Sequence, residues 1–271
     1  MALTTIGLMA LLGCFTGFMA GLLGIGGGMI ITPFLIMLIP SSLIPHEHIV
    51  HVAIATSLAT IAFTSLSSVR AHHKRGAVLW NVVASVAPGI LVGAVVGAQI
   101  AGWLPTFWRS LIFAAFVGFS AFKMFLNKSP RPDRNLPGTI GKFFMGIAIG
   151  ILSALVGAGG GFISVPWMIW CNVKMQNAVA TSAAFGFPIA LFGTIGYIIS
   201  GWNVSGLPPW PIDLGYICIP ALFSVAITSV LFAPLGAKVA HSIDTKPLKK
   251  IFACLLCFVC LYMIRQAYLA M

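Results

Sequence analysis

The feature that most constrains this chain is a glycine run that occurs twice in the same apolar setting. Residues 22–37 read LLGIGGGMIITPFLIM and residues 155–170 read LVGAGGGFISVPWMIW, an offset of 133. Each glycine weakens a helix interior by roughly 1 kcal/mol relative to alanine. Four glycines in five positions therefore break any helix that enters them. Pro33 and Pro166 follow, five residues after Gly28 and Gly161, and each removes a backbone N–H from the segment that continues. A second pair of matched elements lies downstream, VAIATSLA at 52–59 and NAVATSAA at 177–184. A third follows, LPTFWRSLIF at 104–113 and IDTKPLKKIF at 243–252. The shared order reads as a tandem duplication. Residues 1–135 form the first transmembrane repeat and 136–271 the second, together one membrane domain.

The solvent of these repeats follows from composition. The chain has 271 residues, 59% hydrophobic and 7% charged, with a mean hydropathy of +1.05. Soluble domains carry about 25% charged residues. The expected class is an all-α polytopic membrane protein. Apolar segments cover about 4–39, 49–69, 77–101 and 109–126 in the first half, and 141–173, 177–200, 212–240 and 248–268 in the second. The unbroken segments suit the ~20 residues that span a bilayer. The two glycine-broken segments are too long for one span. Their second arms, 29–39 and 162–172, are too short for another.

Orientation is read from the 15 Lys and Arg, which outnumber 4 Asp and Glu to give a net charge of +11. In a soluble chain this excess would suggest nucleic acid. Here it marks cytoplasmic loops that meet anionic membrane lipid, with no nucleic-acid partner. One topology places thirteen of the basic residues inside: Arg70, Lys74, Arg75, Lys123, Lys128, Arg131, Arg134, Lys142, Lys174, Lys238, Lys246, Lys249 and Lys250. Arg109 and Arg265 are left outside, and the connector 201–211 carries no Lys or Arg. This parity requires each broken segment to enter and leave on one face, so each repeat is a Gly-broken hairpin plus three transmembrane helices. The two repeats are then inverted, with both termini outside. The N-terminus lacks a basic n-region and is expected to be retained. Eight single spans with halves the same way up would scatter the charges less cleanly.

Broken backbone at membrane depth is tolerated where protein buries it or a watery cavity meets it. Secondary transporters place half-helix N-termini there and offer N–H groups to anions. The candidate substrate cradle is Gly26, Gly27, Gly28, Gly159, Gly160 and Gly161. Thr56, Ser57, Thr181 and Ser182 add hydroxyl donors in otherwise apolar spans. Close helix packing explains such glycines equally in kind, and back-bonding or helix contacts explain such hydroxyls. The acids Glu47, Asp133, Asp213 and Asp244 all lie in or beside connectors. Cation pumps and proton relays use carboxylates within the membrane, so the pattern favours a neutral or anionic substrate.

His48 and His51 in HEHIVH read as a polar helix start, with a metal or proton-sensing role as the alternative. His72 and His73 are expected in a lipid-facing cytoplasmic patch. The cysteines Cys14, Cys171, Cys218, Cys254, Cys257 and Cys260 lie in or beside apolar segments as packable residues, the last three leaving a thiol or metal site open. No catalytic pairing and no phosphate-binding loop is legible, so no enzyme activity, cofactor or metal is expected.

The doubled GIGGG…P and GAGGG…P runs, each followed by an ATS helix, resemble the TauE/SafE family of sulfite and organosulfonate exporters, also called the toluene sulfonate uptake permease family. The resemblance covers nearly the whole chain. It implies a secondary transporter, an exporter of a small sulfur oxyanion or organosulfonate, acting across the bacterial inner membrane by alternating access. The alternatives are a transporter of a neutral or metal-linked solute, or a membrane scaffold that transports nothing. A homodimer is compatible with a bundle of this size.

Overall fold

A computed structural model describes residues 3–24, 27–40, 44–126, 135–202, 204, 207, 213–240, 242 and 246–269. The first half forms α1 (Leu3–Leu23), α2 (Gly28–Leu38), α3 (His46–His73), α4 (Trp80–Trp103) and α5 (Thr106–Leu126). The second repeats the order with α6 (Thr139–Val156), α7 (Gly161–Trp170), α8 (Met175–Gly201), α9 (Ile219–Ala240) and α10 (Lys246–Leu269). Among the described residues, eight helices are long and apolar enough to cross a membrane, and α2 and α7 are the two short ones. The chain is a polytopic, essentially all-helical membrane protein.

The broken segments follow the sequence reading, and the stretch after α8 departs from it. The first arms of the broken segments, α1 and α6, are of span length themselves, 21 and 18 residues. Only the second arms are short, 11 and 10 residues. The segment expected to begin a helix at 212 instead opens with a small hairpin, β1 (Asp213–Leu214) paired antiparallel with β2 (Ile217–Cys218). Gly215 turns it with φ +59, a left-handed conformation that side chains disfavour.

The packing maps onto itself when the halves are exchanged. α1 lies on α9 as α6 lies on α4, α3 on α9 as α8 on α4, and α2 on α3 as α7 on α8. The pairs α3–α8 and α5–α10 are their own counterparts. Helix directions follow from which residues meet. A Cβ built on Gly193 would touch Leu58, and one on Gly186 would touch Ser65, so α3 and α8 run antiparallel. Along α1, Gly13, Gly17 and Gly21 meet Val225, Ser229 and Ala233 in turn, so α1 and α9 run parallel. The same holds for α4 and α6, where Gly89, Gly93 and Gly97 meet Phe143, Ile147 and Ile151.

These are small-xxx-small stripes, and they fix backbone against backbone. Without a hydrophobic force between helices in lipid, close van der Waals approach must hold them. A Cβ on Gly93 would overlap the Ile147 carbonyl oxygen, whereas Gly7 has nothing within 4 Å of such an atom. Gly93→Leu is therefore expected to cost at least about 1–3 kcal/mol by overpacking. Gly7→Leu is expected to be neutral. Thermal unfolding of the two variants in one detergent checks the difference.

Candidate functional site

Each glycine run ends one helix and starts another by the same backbone route. Gly24 and Gly157 stand at φ +67 and +64, and Gly27 and Gly160 at +75 and +76. These are left-handed positions that favour glycine. The chain turns at the first and enters α2 or α7 at the second. Gly27 and Gly160 are the N-cap residues and carry no side-chain cap. Their carbonyls accept the first helical bonds, from Ile30 and Ile31 in one arm and from Ile163 and Ser164 in the other. The N–H groups ahead of these, of Gly28 and Met29 and of Gly161 and Phe162, have no acceptor within their own helix, as at any helix start.

The two tips meet. A Cβ on Gly28 would overlap the carbonyl oxygen of Gly157 and lie 2.9 Å from the Ala158 Cα. Gly159 lies by Gly186 of α8, which also faces Ser65 of α3. The contact thus sits level with the middle of the α3–α8 pair. Gly27, Gly28, Gly159, Gly160 and Gly161 are brought to this region, all of them buried. Gly26 lies outside the described residues.

The hydroxyls expected as substrate donors hold the protein itself. Ser57 Oγ–H donates to the Gly157 carbonyl at 3.1 Å, and Ser182 Oγ–H donates to the Gly24 carbonyl at 3.0 Å. Each serine therefore ties the broken helix of the opposite half. Ser164 Oγ–H in turn donates to Ser182 at 2.8 Å. The backbone N–H of Cys218 donates to Thr56 Oγ1, and that of Leu79 to Thr181 Oγ1, both at 3.0 Å. The threonines thus receive the chain as it enters α9 and α4. A carbonyl at the end of a broken helix and an N–H at the start of a new one both need partners in a bilayer. The ATS pairs supply them.

A further matched pair ties the first arms. His72 Nε2–H donates to the Gly21 carbonyl at 3.1 Å, and Tyr197 Oη–H to the Ala154 carbonyl at 3.2 Å. Both side chains are fully buried. His72 therefore does not join a lipid-facing patch: its ring is consumed by the end of α1. His73 accepts a hydrogen bond from Trp80 Nε1–H at 3.1 Å.

Two hydroxyls that the sequence reading missed lie beside the tips. Thr32 Oγ1 and Ser153 Oγ are buried with no hydrogen-bond partner among the described residues. Thr32 Oγ1 is 3.0 Å from where a Gly157 Cβ would stand, and Ser153 Oγ is 3.2 Å from the Gly160 position. Their repeat counterparts are Val165 and Ala20, so a search for hydroxyls shared by both halves passes them over. Their signal was a polar group on a glycine-run arm. Arg109 was also missed: it counted only as an outer charge, yet it is 2% exposed. Among the described residues, no three His, Cys, Asp or Glu side chains converge to hold a metal.

A family model described as "Sulfite exporter TauE/SafE" matches residues 9–263. The chain belongs to the TauE/SafE family. It is 34% identical over 261 residues to a Haemophilus influenzae protein named "Probable membrane transporter protein", covering 96% of this chain and 98% of that one. A Methanocaldococcus jannaschii protein carrying the same description is 28% identical, over 95% and 94% of the two chains. The Bacillus subtilis protein YdhB, also a probable membrane transporter, is 29% identical over 69% and 76%. No solved structure matches the chain. This TauE/SafE protein is thus a member of a membrane transporter family, and its site is read as that of a transporter rather than of an enzyme.

Removing either tip bond leaves a buried carbonyl unpaired. Ser57→Ala and Ser182→Ala are each expected to lower stability by about 0.6–1.7 kcal/mol, the range for interhelical hydrogen bonds in membranes. The loss should be larger for Ser182→Ala, because that change also strands the buried Ser164 hydroxyl that donates to Ser182. Detergent-solubilised thermal melts of both variants test this.

Proposed function

We propose that the protein is a secondary transporter that exports a small sulfur oxyanion or organosulfonate by alternating access across the inner membrane. The substrate is held between the glycine tips. The observation that carries the reading is the meeting of two uncapped helix starts, Gly27–Gly28 and Gly160–Gly161, halfway along the α3–α8 pair. Helix N-termini favour negative charge. Thr32 and Ser153, buried beside the tips and without partners, supply side-chain donors. The glycines, with Gly26 among them, form the backbone cradle, and the ATS pairs position it. The sulfur chemistry of the substrate is carried by the family description alone.

The repeats are read as inverted. The antiparallel run of α3 against α8, which are repeat counterparts, supports this, since counterparts that cross a bilayer in opposite senses belong to inverted halves. With α1 and α9 parallel, and α4 and α6 parallel, one end of the bundle then carries Lys74, Arg75, Lys142 and Lys174. That end faces the cytoplasm by the positive-inside rule. Both termini fall outside. A C-terminal alkaline phosphatase fusion is expected to be active and a C-terminal green fluorescent protein fusion dark; the reverse pattern overturns the orientation.

Transport is tested in proteoliposomes with sulfite, thiosulfate, sulfate and taurine. Flux above protein-free vesicles is expected for at least one, and absence of flux for all four overturns the substrate class. Thr32→Val and Ser153→Ala are expected to reduce that flux about tenfold, equivalent to ~1.4 kcal/mol of lost interaction. Because each removes an unpaired buried hydroxyl, stability should hold or rise. Loss of flux together with a matching loss of stability would make the two hydroxyls structural.

A further inference from the structure

Five side chains gather at the outer end of the bundle, outside the glycine tips. They are His48 and His51 from the first turns of α3, Arg109 from α5, Tyr197 from the end of α8, and Tyr216 from the β1–β2 turn. His51 stacks on Tyr216 with ring centroids 4.6 Å apart, and Tyr197 and Tyr216 meet edge-on at 6.4 Å. The Arg109 guanidinium stands within electrostatic range of His51, Tyr197 and Tyr216. Arg109 is 2% exposed and His51 is 5% exposed.

Among the described residues, the cation in this cluster lacks a counter-charge. Arg109 Nη2–H donates to the Leu104 carbonyl. Its Nε and Nη1 donors have no acceptor among the described residues. Among the described residues no carboxylate pairs with it; Glu47, 75% exposed, contacts His48 at 3.4 Å instead. A buried guanidinium left unpaired is strongly unfavourable, and three N–H groups without acceptors add to the cost. The site is electrostatically incomplete, and what completes it is an anion.

The duplication sharpens the point. Aligning the third repeated element places Leu248 opposite Arg109, and the second places Gln176 opposite His51. Arg109 and His51 therefore have no charged or titratable counterpart at the aligned positions of the other repeat. The cluster also adjoins the tip of the second half. Tyr197 holds the Ala154 carbonyl, three residues before Gly157. Two turns along α5 from Arg109, Phe116 rests on Phe162 in the first turn of α7, with ring centroids at 4.0 Å.

We propose that Arg109, framed by His51, Tyr197 and Tyr216, is the outer binding site for a small oxyanion of the sulfite or sulfonate class on its path past the glycine tips. This rests on the anion-transport reading and adds a location, a charge and an asymmetry to it. Arginine suits the role because its charge persists at every working pH and its planar donors match oxyanions.

The test is anion binding to purified protein in nanodiscs, with sulfite and taurine as probes, read by thermal shift and calorimetry. In the wild type, a probe is expected to raise the melting temperature. Arg109→Gln should weaken binding at least tenfold and abolish that rise, while its probe-free melting temperature stays equal or increases. Arg109→Lys should recover part of the affinity. A merely structural arginine gives the opposite pattern: a lower probe-free melting temperature and an intact probe-induced rise. Should Arg109→Gln fail to fold, arginine modification by phenylglyoxal on the wild type decides. Protection of Arg109 but not Arg265 by the probe supports the site, and equal modification with and without probe overturns it. If Arg109→Gln binds as the wild type does, the outer site falls and the transport reading stands. If the wild type binds neither probe and none of the four solutes crosses vesicles, both fall.

Discussion

Everything in this fold depends on satisfying broken backbone within a bilayer. A helix that stops at mid-depth leaves carbonyls at its end, and the next leaves N–H groups at its start. The chain meets the first demand across the repeats, with Ser57 on Gly157 and Ser182 on Gly24. His72 on Gly21 and Tyr197 on Ala154 meet the same demand one turn earlier. Neither half can complete its own tip, so the duplication is functional only as a pair. At the starts of α2 and α7 the N-cap carbonyls of Gly27 and Gly160 accept the first helical bonds, and the N–H groups ahead of those have no acceptor within the helix; on the proposed reading they face the substrate.

Much of this was legible before any coordinates. The doubled glycine run located the helix breaks to within a residue, because left-handed turns at Gly24, Gly27, Gly157 and Gly160 call for glycine. Its repeat and the charge pattern located the spans. The ATS pairs were found for the right reason, as polar groups at matched places in apolar helices. Their partners were not legible, because Ser57 and Gly157 are 100 residues apart and only the tertiary packing joins them. Arg109 was hidden by its own type: arginine near a span end normally reports orientation, and its burial is a property of the tertiary packing. The glycine stripes of α1 and α4 were hidden among other small residues, since a small-xxx-small pattern does not name its partner.

Symmetry and its violation carry different information. The matched bonds of Thr56 with Cys218 and Thr181 with Leu79 keep both halves on one plan. They say how the scaffold stands, and they are indifferent to what passes through it. Thr32, Ser153 and Arg109 have apolar counterparts in the other repeat, Val165, Ala20 and Leu248. Scaffold chemistry is duplicated, whereas these three groups are single copies with unpaired polar atoms. A substrate that is not itself two-fold symmetric has no use for two identical half-sites, and single-copy polar groups are how a duplicated scaffold adapts to it.

The same bonds indicate where motion is permitted if access alternates. Backbone-on-backbone glycine contacts lock α1 to α9 and α4 to α6. Hydrogen bonds add α3 to the first pair, through Thr64 with Ser229 and Ser67 with Val230, and α8 to the second, through Gln99 with Gly196. The result is two three-helix bodies, each built from both repeats. They abut along α3 and α8, where Gly193 meets the flexible end of Leu58 and Gly186 meets the Ser65 side chain, with no backbone overlap. Packed cores resist continuous deformation, so movement concentrates at interfaces with discrete alternatives. On the alternating-access reading proposed above, the α3–α8 seam is the candidate for that interface. Ser57 and Ser182 are the hydroxyls that bridge it at the tips, and their donors must change acceptor for the bodies to shift. A transporter built this way would gate at its serines and bind at its glycines.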